Sequence, residues 1–304
     1  MKRIHLILSL VFFGVVGFAI QGTNYAQPLT ASAPSRTATR SAEPSITLPR
    51  RDGSVRVAVF GDAGRGTRDQ YDLGKVMEEY RKAFPFELVL LTGDNIYGKD
   101  SPADMKNKFE LPYKPLLDAG VLFYGSLGNH DTANQRLYAP FNMKGEEYYR
   151  IERSGVSFYA LNSNYLDKKQ LDWLNSEVEK DKNSWRVAFF HHPPYSSGGR
   201  HGSDEDVRAI LHPLFVKNGF DVVFTGHDHF YERVKPQDGI TYFVAGAAGK
   251  IRKGDLKESS TITAAGFDTD LSFMIVEFVD DEMHFQVISK AGKTVDSGVV
   301  RKRD

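Results

Sequence analysis

A chain of 304 residues with 39 basic and 39 acidic side chains has no formal net charge, which argues against broad electrostatic binding to nucleic acid or anionic membrane. Its 41% hydrophobic and 26% charged content is ordinary for a globular protein and supplies material for one sizeable core. The absence of cysteine excludes disulfides, thiolate nucleophiles and cysteine-based metal sites.

Lys2 and Arg3 open the chain, and an uncharged apolar run follows from Leu6 to Ile20. That run is shorter than the roughly 20 residues of a membrane span and has the length of a signal-peptide core. Residues 1–26 therefore read as a signal peptide, with an uncleaved anchor as the alternative. Either places the remainder outside the cytoplasm, secreted or periplasmic, with no stable membrane association once the segment is cleaved. Residues 27–52 are rich in Pro, Ser, Thr, Ala and Arg and lack apolar periodicity, as a disordered linker would. The folded domain is expected over 53–304.

Within that domain, Val55 to Phe60 is a strand running into Gly61-Asp62-Ala63-Gly64. A helical pattern covers Asp69 to Phe84, with Leu73, Val76, Met77 and Tyr80 on one face. Leu88 to Leu91 is a buried strand that delivers Asp94 and Tyr97 into the loop Gly93-Asp94-Asn95-Ile96-Tyr97. One or two short helices follow, with Pro102, Pro112 and Pro115 as breakers. Val121 to Tyr124 is a third strand leading to Gly128-Asn129-His130-Asp131.

Paired strands over Tyr148 to Ile151 and Val156 to Asn162 flank Ser154-Gly155. Helices are predicted over Asp167 to Lys180 and Asp204 to Lys217, and strands over Trp185 to Phe190 and Asp221 to Thr225. Those two strands end at His191-His192 and at Gly226-His227-Asp228-His229. Further strands are predicted over Thr241 to Ala245, Ser272 to Phe278 and Met283 to Ile288. Alternating β and α followed by antiparallel strands predicts an α/β (α+β) fold, with two mixed sheets sandwiched between helices in four αββα layers.

The strand ends supply Asp62, Asp94, Tyr97, Asn129, His130, His191, His227 and His229, all O or N donors beside glycine or another polar loop residue. Strand ends of one sheet converge in space, so residues far apart in the chain can share a site. Without His130, the three imidazoles of His191, His227 and His229, two carboxylates, a phenol and an amide are too many donors for one metal ion and suit two ions sharing a bridging carboxylate. The histidines favour Zn, Fe or Mn over Ca²⁺ or Mg²⁺. Paired ions at ~3.5–4 Å are suited to phosphate-ester hydrolysis.

The blocks Gly61-Asp62-Ala63-Gly64, Gly93-Asp94-Asn95-Ile96-Tyr97, Gly128-Asn129-His130-Asp131, Ala188-Phe189-Phe190-His191 and Gly226-His227-Asp228-His229 resemble those of the metallophosphoesterase (calcineurin-like) superfamily. Within it they look most like the small, single-domain purple acid phosphatases. The resemblance implies that Asp94 bridges two metals. It implies that Asp62, Tyr97 and His229 complete the first site, and that Asn129, His191 and His227 complete the second. Tyr97 implies Fe(III) in the first site, beside a divalent Fe, Zn or Mn.

The reaction so implied is attack of metal-bound hydroxide on a phosphomonoester, with His130 and His201 facing the substrate. Small phosphate esters or phosphoproteins are the implied partners. The competing readings are a phosphodiesterase or phospholipase of the same superfamily and a non-catalytic phosphate-ligand binding protein on this scaffold. His192, His212 and His284 are expected to be structural, Arg65 to be solvated, and Arg301-Lys302-Arg303 to be a solvated end. Any lid over the site has to come from the segment between Asp131 and Tyr148.

Overall fold

The computed structural model describes residues 43–257 and 259–303. The signal peptide expected at 1–26 and most of the linker expected after it lie outside the described residues. The elements in chain order begin with β1 (Val55–Phe60), α1 (Arg68–Ala83), β2 (Leu88–Leu91), α2 (Pro102–Met105), α3 (Lys114–Asp118), β3 (Leu122–Gly125), β4 (Tyr149–Arg153) and β5 (Val156–Ala160). They continue with α4 (Lys168–Lys180), β6 (Trp185–Phe189), α5 (Glu205–Lys217), β7 (Val222–Thr225), β8 (Tyr231–Val234), β9 (Thr241–Ala245), β10 (Thr263–Phe267), β11 (Ser272–Val279), β12 (Glu282–Ser289) and β13 (Thr294–Arg301).

Two mixed sheets form. One has the order β13-β12-β11-β1-β2-β3, the other β10-β8-β9-β7-β6-β5-β4. In the first sheet β1, β2 and β3 are parallel, and β11 runs antiparallel to β1. In the second, β5, β6, β7 and β9 run parallel to one another, and β4 and β8 flank them antiparallel. The inner faces meet in a core that includes Val57, Val59, Leu90, Phe158, Val187, Phe224 and Val276. The outer face of the first sheet packs Phe60 and Val89 against Leu73 and Met77 of α1. That of the second packs Phe190 and Val223 against Leu174 of α4 and Leu211 and Phe215 of α5. Helix, sheet, sheet and helix therefore stack in the four layers expected.

Each long helix is started by a side-chain oxygen that takes an otherwise unpaired N–H. Thr67 accepts from Gln70 N, Asp167 from Gln170 N and Asp204 from Val207 N. Pro102 and Pro115 begin α2 and α3 rather than breaking them, because proline's missing N–H is redundant in a first helical turn.

Three strands had no clear signal in the sequence. Thr263–Phe267 and Thr294–Arg301 are edge strands with exposed, small or polar residues, and Tyr231–Val234 directly follows a histidine turn. Their pairing partners define them more than their own pattern does.

Two expectations are corrected. Residues 43–52 are not a free linker. Leu48 is buried, and Gln286 accepts from Thr47 N–H at 2.9 Å while donating to the Ser45 carbonyl at 2.7 Å. The buried carboxylate of Glu277 accepts from the N–H groups of Arg50 and Arg51, both at 2.7 Å, and from Arg56 Nε at 3.3 Å. A buried charge that loses such donors costs about 1–3 kcal/mol or more. A chain begun at residue 53 is therefore expected to melt about 5 °C below one begun at residue 43. Equal melting points in a thermal scan would remove this role from the segment. The C-terminus is also pinned: Arg303 donates from its backbone to Asp221 at 3.3 Å and from its guanidinium to the Phe220 carbonyl at 3.1 Å.

The segment after Asp131 makes two short helical turns, Ala133–Leu137 and Ala139–Phe141, and buries Phe141 against Phe109. It is packed into the first sheet's outer layer.

Candidate metal centre

The parallel strands β1, β2, β6 and β7 all end on the same side of the sandwich, and the donors stand just beyond them. β1 delivers Asp62, β2 delivers Asp94 and Tyr97, and the loop after β3 delivers Asn129. β6 delivers His191, and β7 delivers His227 and His229. Asp62, Asp94 and His229 offer ligand atoms within 4.8 Å of one another, and so do His191, His192 and His227.

The first group closes on Asp62 Oδ1, which lies 3.0 Å from Tyr97 Oη and 3.2 Å from His229 Nε2. Tyr97 Oη is also 3.1 Å from His229 Nε2. In the second group Asn129 Oδ1 lies 3.0 Å from both His191 Nε2 and His227 Nδ1, and the two ring nitrogens are 3.1 Å apart. Asp94 joins the groups: its Oδ1 is 3.4 Å from His191 Nε2, while it shares the first cluster with Asp62 and His229.

These contacts leave lone pairs facing lone pairs. His191 Nδ1 sits 2.9 Å from the Thr92 carbonyl, so that nitrogen carries the proton and Nε2 is an acceptor. Nε2 then faces Asn129 Oδ1 and Asp94 Oδ1, two more acceptors. A cation at their focus turns this repulsion into coordination, so the donor set fits metal ions.

Electrostatics agree. Burial first, and the Asp94 carboxylate second, push the Asp62 carboxyl well above its usual range. Burial and the neighbouring His192 hold His191 far below the ordinary imidazole value. Burial with His191 lowers His227 to about 2, and burial with Arg252 lowers His229 to about 2. All three rings are neutral at neutral pH, with lone pairs free to bind a metal. The Tyr97 phenol is raised by burial and then by Asp62 and Asp94. Only a strongly charged cation can make it a phenolate there.

Asp62, Asp94 and His227 have φ of 57°, 51° and 71°, the left-handed region that non-glycine residues rarely enter. The turns fold back so tightly that neighbouring glycines are required. A Cβ on Gly128 would lie 2.3 Å from Asp94 Oδ1, and one on Gly93 would lie 2.6 Å from His191 Nδ1. Gly128→Ala should displace the Asp94 carboxylate and weaken metal affinity by about 10–100-fold, the range typical of a disturbed ligand shell, so that metal content falls on dialysis against a weak chelator. Elemental analysis checks this, and full occupancy would show that the turn can yield.

His130 and His201, expected to face the substrate, stand exposed on opposite flanks. The His130 ring lies 4.8 Å from that of Tyr97, and the His130 backbone N–H donates to Asp94 Oδ1 at 2.9 Å. The His201 ring lies 4.2 Å from that of His227. His192 is closer to the centre than expected: its ring is 4.7 Å from His227, while Nδ1 lies 2.9 Å from Ser163 Oγ. His212 is tied between the Tyr242 hydroxyl and Asp238, and His284 pairs with Glu282, as structural residues do.

Two carboxylates that hold the site were not singled out in the sequence. Asp131 accepts from Gly128 N at 2.8 Å, Ile96 N at 3.0 Å and Asn95 N at 3.1 Å, locking together the loops of Asp94 and Asn129. Asp228 accepts from Ser196 Oγ at 2.6 Å and Gly202 N at 3.1 Å, and so fixes the loop that carries His201. Their position, each next to or two residues from a donor within a glycine-bearing block, is the signal that could have found them.

Residues 55–231 match the profile of the calcineurin-like phosphoesterases. Purple acid phosphatase 17 of Arabidopsis thaliana is 28% identical over 247 residues, covering 67% of this chain and 71% of that protein. Among solved structures, purple acid phosphatase PPD1 of yellow lupin (Lupinus luteus) aligns with a TM-score of 0.69 at 17% identity, over 84% of this chain and 55% of that one. GAP50, the anchor in the inner membrane complex of Plasmodium, aligns with a TM-score of 0.67 at 19% identity, over 83% of this chain and 90% of that one. At such identities the structural matches speak for the fold alone.

Proposed function

The chain belongs to the calcineurin-like phosphoesterase family of metal-dependent phosphoester hydrolases, and on that premise we propose that it is an exported acid phosphatase acting on phosphomonoesters at a dinuclear Fe(III)–M(II) centre. The observation that carries the reading is the position of Asp94, whose carboxylate belongs to both donor groups. Asp62, Tyr97 and His229 would hold one ion, Asn129, His191 and His227 the other, and Asp94 both. Bound there, the pair supplies Lewis acidity toward a phosphoryl group and a water molecule.

The protein's own part is positional and protonic. The Thr92 carbonyl fixes the His191 tautomer so that Nε2 faces inward. Asp131 and Asp228 hold the loops that bear Asp94 and His201. His130 and His201 flank the donors from two sides, and either exposed imidazole can hand a proton to the departing alkoxide oxygen. Convergence of all seven donors favours this reading over a non-catalytic binding protein. Small phosphate esters or phosphoproteins are the proposed partners. Export rests on the basic and apolar start of the chain.

Iron rests on Tyr97, a phenol placed beside two carboxylates. The purified protein is expected to contain iron and to show a visible charge-transfer band that Tyr97→Phe abolishes. A colourless active protein carrying two Zn or Mn would overturn the iron assignment. Rates on a phosphomonoester and a phosphodiester, compared over a pH series, test the substrate class. A strong preference for the diester would replace the phosphatase by a phosphodiesterase or phospholipase.

A further inference from the structure

A cluster of cations rims one side of the donor groups. Three loops carry it. The first bears Arg65, whose guanidinium lies 4.9 Å from the centre of the Tyr97 ring. The second bears Arg200, next to His201. The third bears Lys250 and Arg252, and the Arg252 N–H donates to the His229 carbonyl at 3.0 Å.

The loops are bound to each other. Ala248 N donates to the Gly61 carbonyl at 3.2 Å, and Gly199 N donates to the Asp255 carbonyl at 2.7 Å. Gly198 and Leu256 form a β-bridge. The cations are thus held at the mouth of the site by backbone pairing rather than scattered over the surface.

Elsewhere partly buried arginines such as Arg150 and Arg233 are neutralised, the first by Glu152 at 2.6 Å and the second by Asp296 at 2.9 Å. In the cluster, among the described residues, the side chains of Arg200, Lys250 and Arg252 have neither an ion pair nor a hydrogen bond to protein. Arg252 Nη1 is buried and without a partner. A desolvated, unpaired guanidinium nitrogen is costly unless a ligand supplies the acceptor. Of the nearby carboxylates, Asp62 belongs to the donor groups, Asp204 caps α5 and Asp228 is held by Ser196, while Asp255 follows Arg252 with its buried Oδ2 also unpartnered. The cluster keeps an excess of positive charge in a chain with none overall. Burial, then Arg252, Arg65 and Arg200, hold Lys250 below the usual lysine range, as expected of an uncompensated cation among others.

We propose that Arg65, Arg200, Lys250 and Arg252 form a second anion subsite, which takes the non-scissile phosphate of a substrate carrying two or more phosphates. It rests on the phosphatase reading for the first phosphate and takes no part in making or breaking bonds. Its effect is selection: the distal phosphate docks on the rim while the scissile one meets the donors beneath.

The test compares matched pairs on the metal-loaded full chain. Binding of methylenediphosphonate is measured against methylphosphonate, and turnover of a sugar bisphosphate against the corresponding monophosphate. The double variant Arg200→Gln/Lys250→Gln should lose at least about 10–100-fold in affinity for methylenediphosphonate and in kcat/KM for the bisphosphate, the range for a single charge-assisted hydrogen bond. Changes with methylphosphonate and the monophosphate should stay within about threefold. The preference for the doubly charged member should also shrink as salt rises.

Equal losses on both members of each pair would mean a general field and overturn the subsite, as would no loss on either. If the wild type turns over neither ester, the phosphatase reading fails instead, and the phosphonate binding still decides the subsite. Both substituted side chains reach the surface, so folding is expected to survive, and a melting curve of the variant verifies it.

Discussion

Asp94→Asn is expected to reduce turnover by at least about 10⁴-fold, the scale of losing a residue on which a whole catalytic unit depends. The substitution keeps the side chain's shape, and its amide oxygen can still accept from the His130 N–H. What it removes is the negative charge shared between the two donor groups. Without it the ions lose their common ligand, and elemental analysis should show fewer than one metal per chain. The metal-free variant should melt higher than the metal-free wild type. In the latter, Asp62 and Asp94 are buried together without a cation, and their mutual repulsion is part of what raises the Asp62 carboxyl. Loss of activity with metal content intact would remove Asp94 from the bridging position and assign it to the reaction itself.

The double variant His130→Ala/His201→Ala should behave in the opposite way. Metal content and the visible band are expected to persist, because neither imidazole belongs to the donor groups. Turnover should fall by about 10²–10⁴-fold, the usual contribution of general acid–base catalysis. The loss should shrink for esters with a good leaving group, since a phenolate departs without a proton where an alkoxide needs one. The single variants tell which side of the site the leaving group occupies. A loss confined to His130→Ala places it over Tyr97, and one confined to His201→Ala places it over His227. An undiminished rate in the double variant would remove both from the reaction.

The donors were legible because each follows an apolar strand, and a strand that ends in Gly-Asp or Gly-His has little structural reason to do so. Asp62, Asp94 and His227 could be found in that way and His191 by the histidine pair that ends its strand, and the four-layer fold followed from the alternation that produced them. The edge strands were harder to read: Thr263–Phe267 contains Ala-Ala-Gly and becomes a strand only through pairing with β8. Residues 43–52 looked like linker because their order comes from Glu277 and Gln286, more than 200 positions away. Asp131 and Asp228 were visible as letters beside the donors. Their work is to accept backbone N–H groups from loops whose approach no local pattern announces. The same holds for Lys250 and Arg252, whose loop is brought to the site by backbone bonds from Ala248 to Gly61 and from Arg252 to His229.

The left-handed backbone at Asp62, Asp94 and His227 has a consequence for how such a chain would change if its chemistry were no longer needed. Each position costs on the order of 1–2 kcal/mol relative to a residue at ease there. Glycine at all three would relieve most of that cost and keep the turns. A copy released from catalytic duty would thus be drawn toward glycine at these sites by the gain in folding stability alone. The side chains standing there mark a trade-off of stability against function. Comparing the melting points of Asp62→Gly, Asp94→Gly and His227→Gly in metal-free protein would show how much stability is forgone at each.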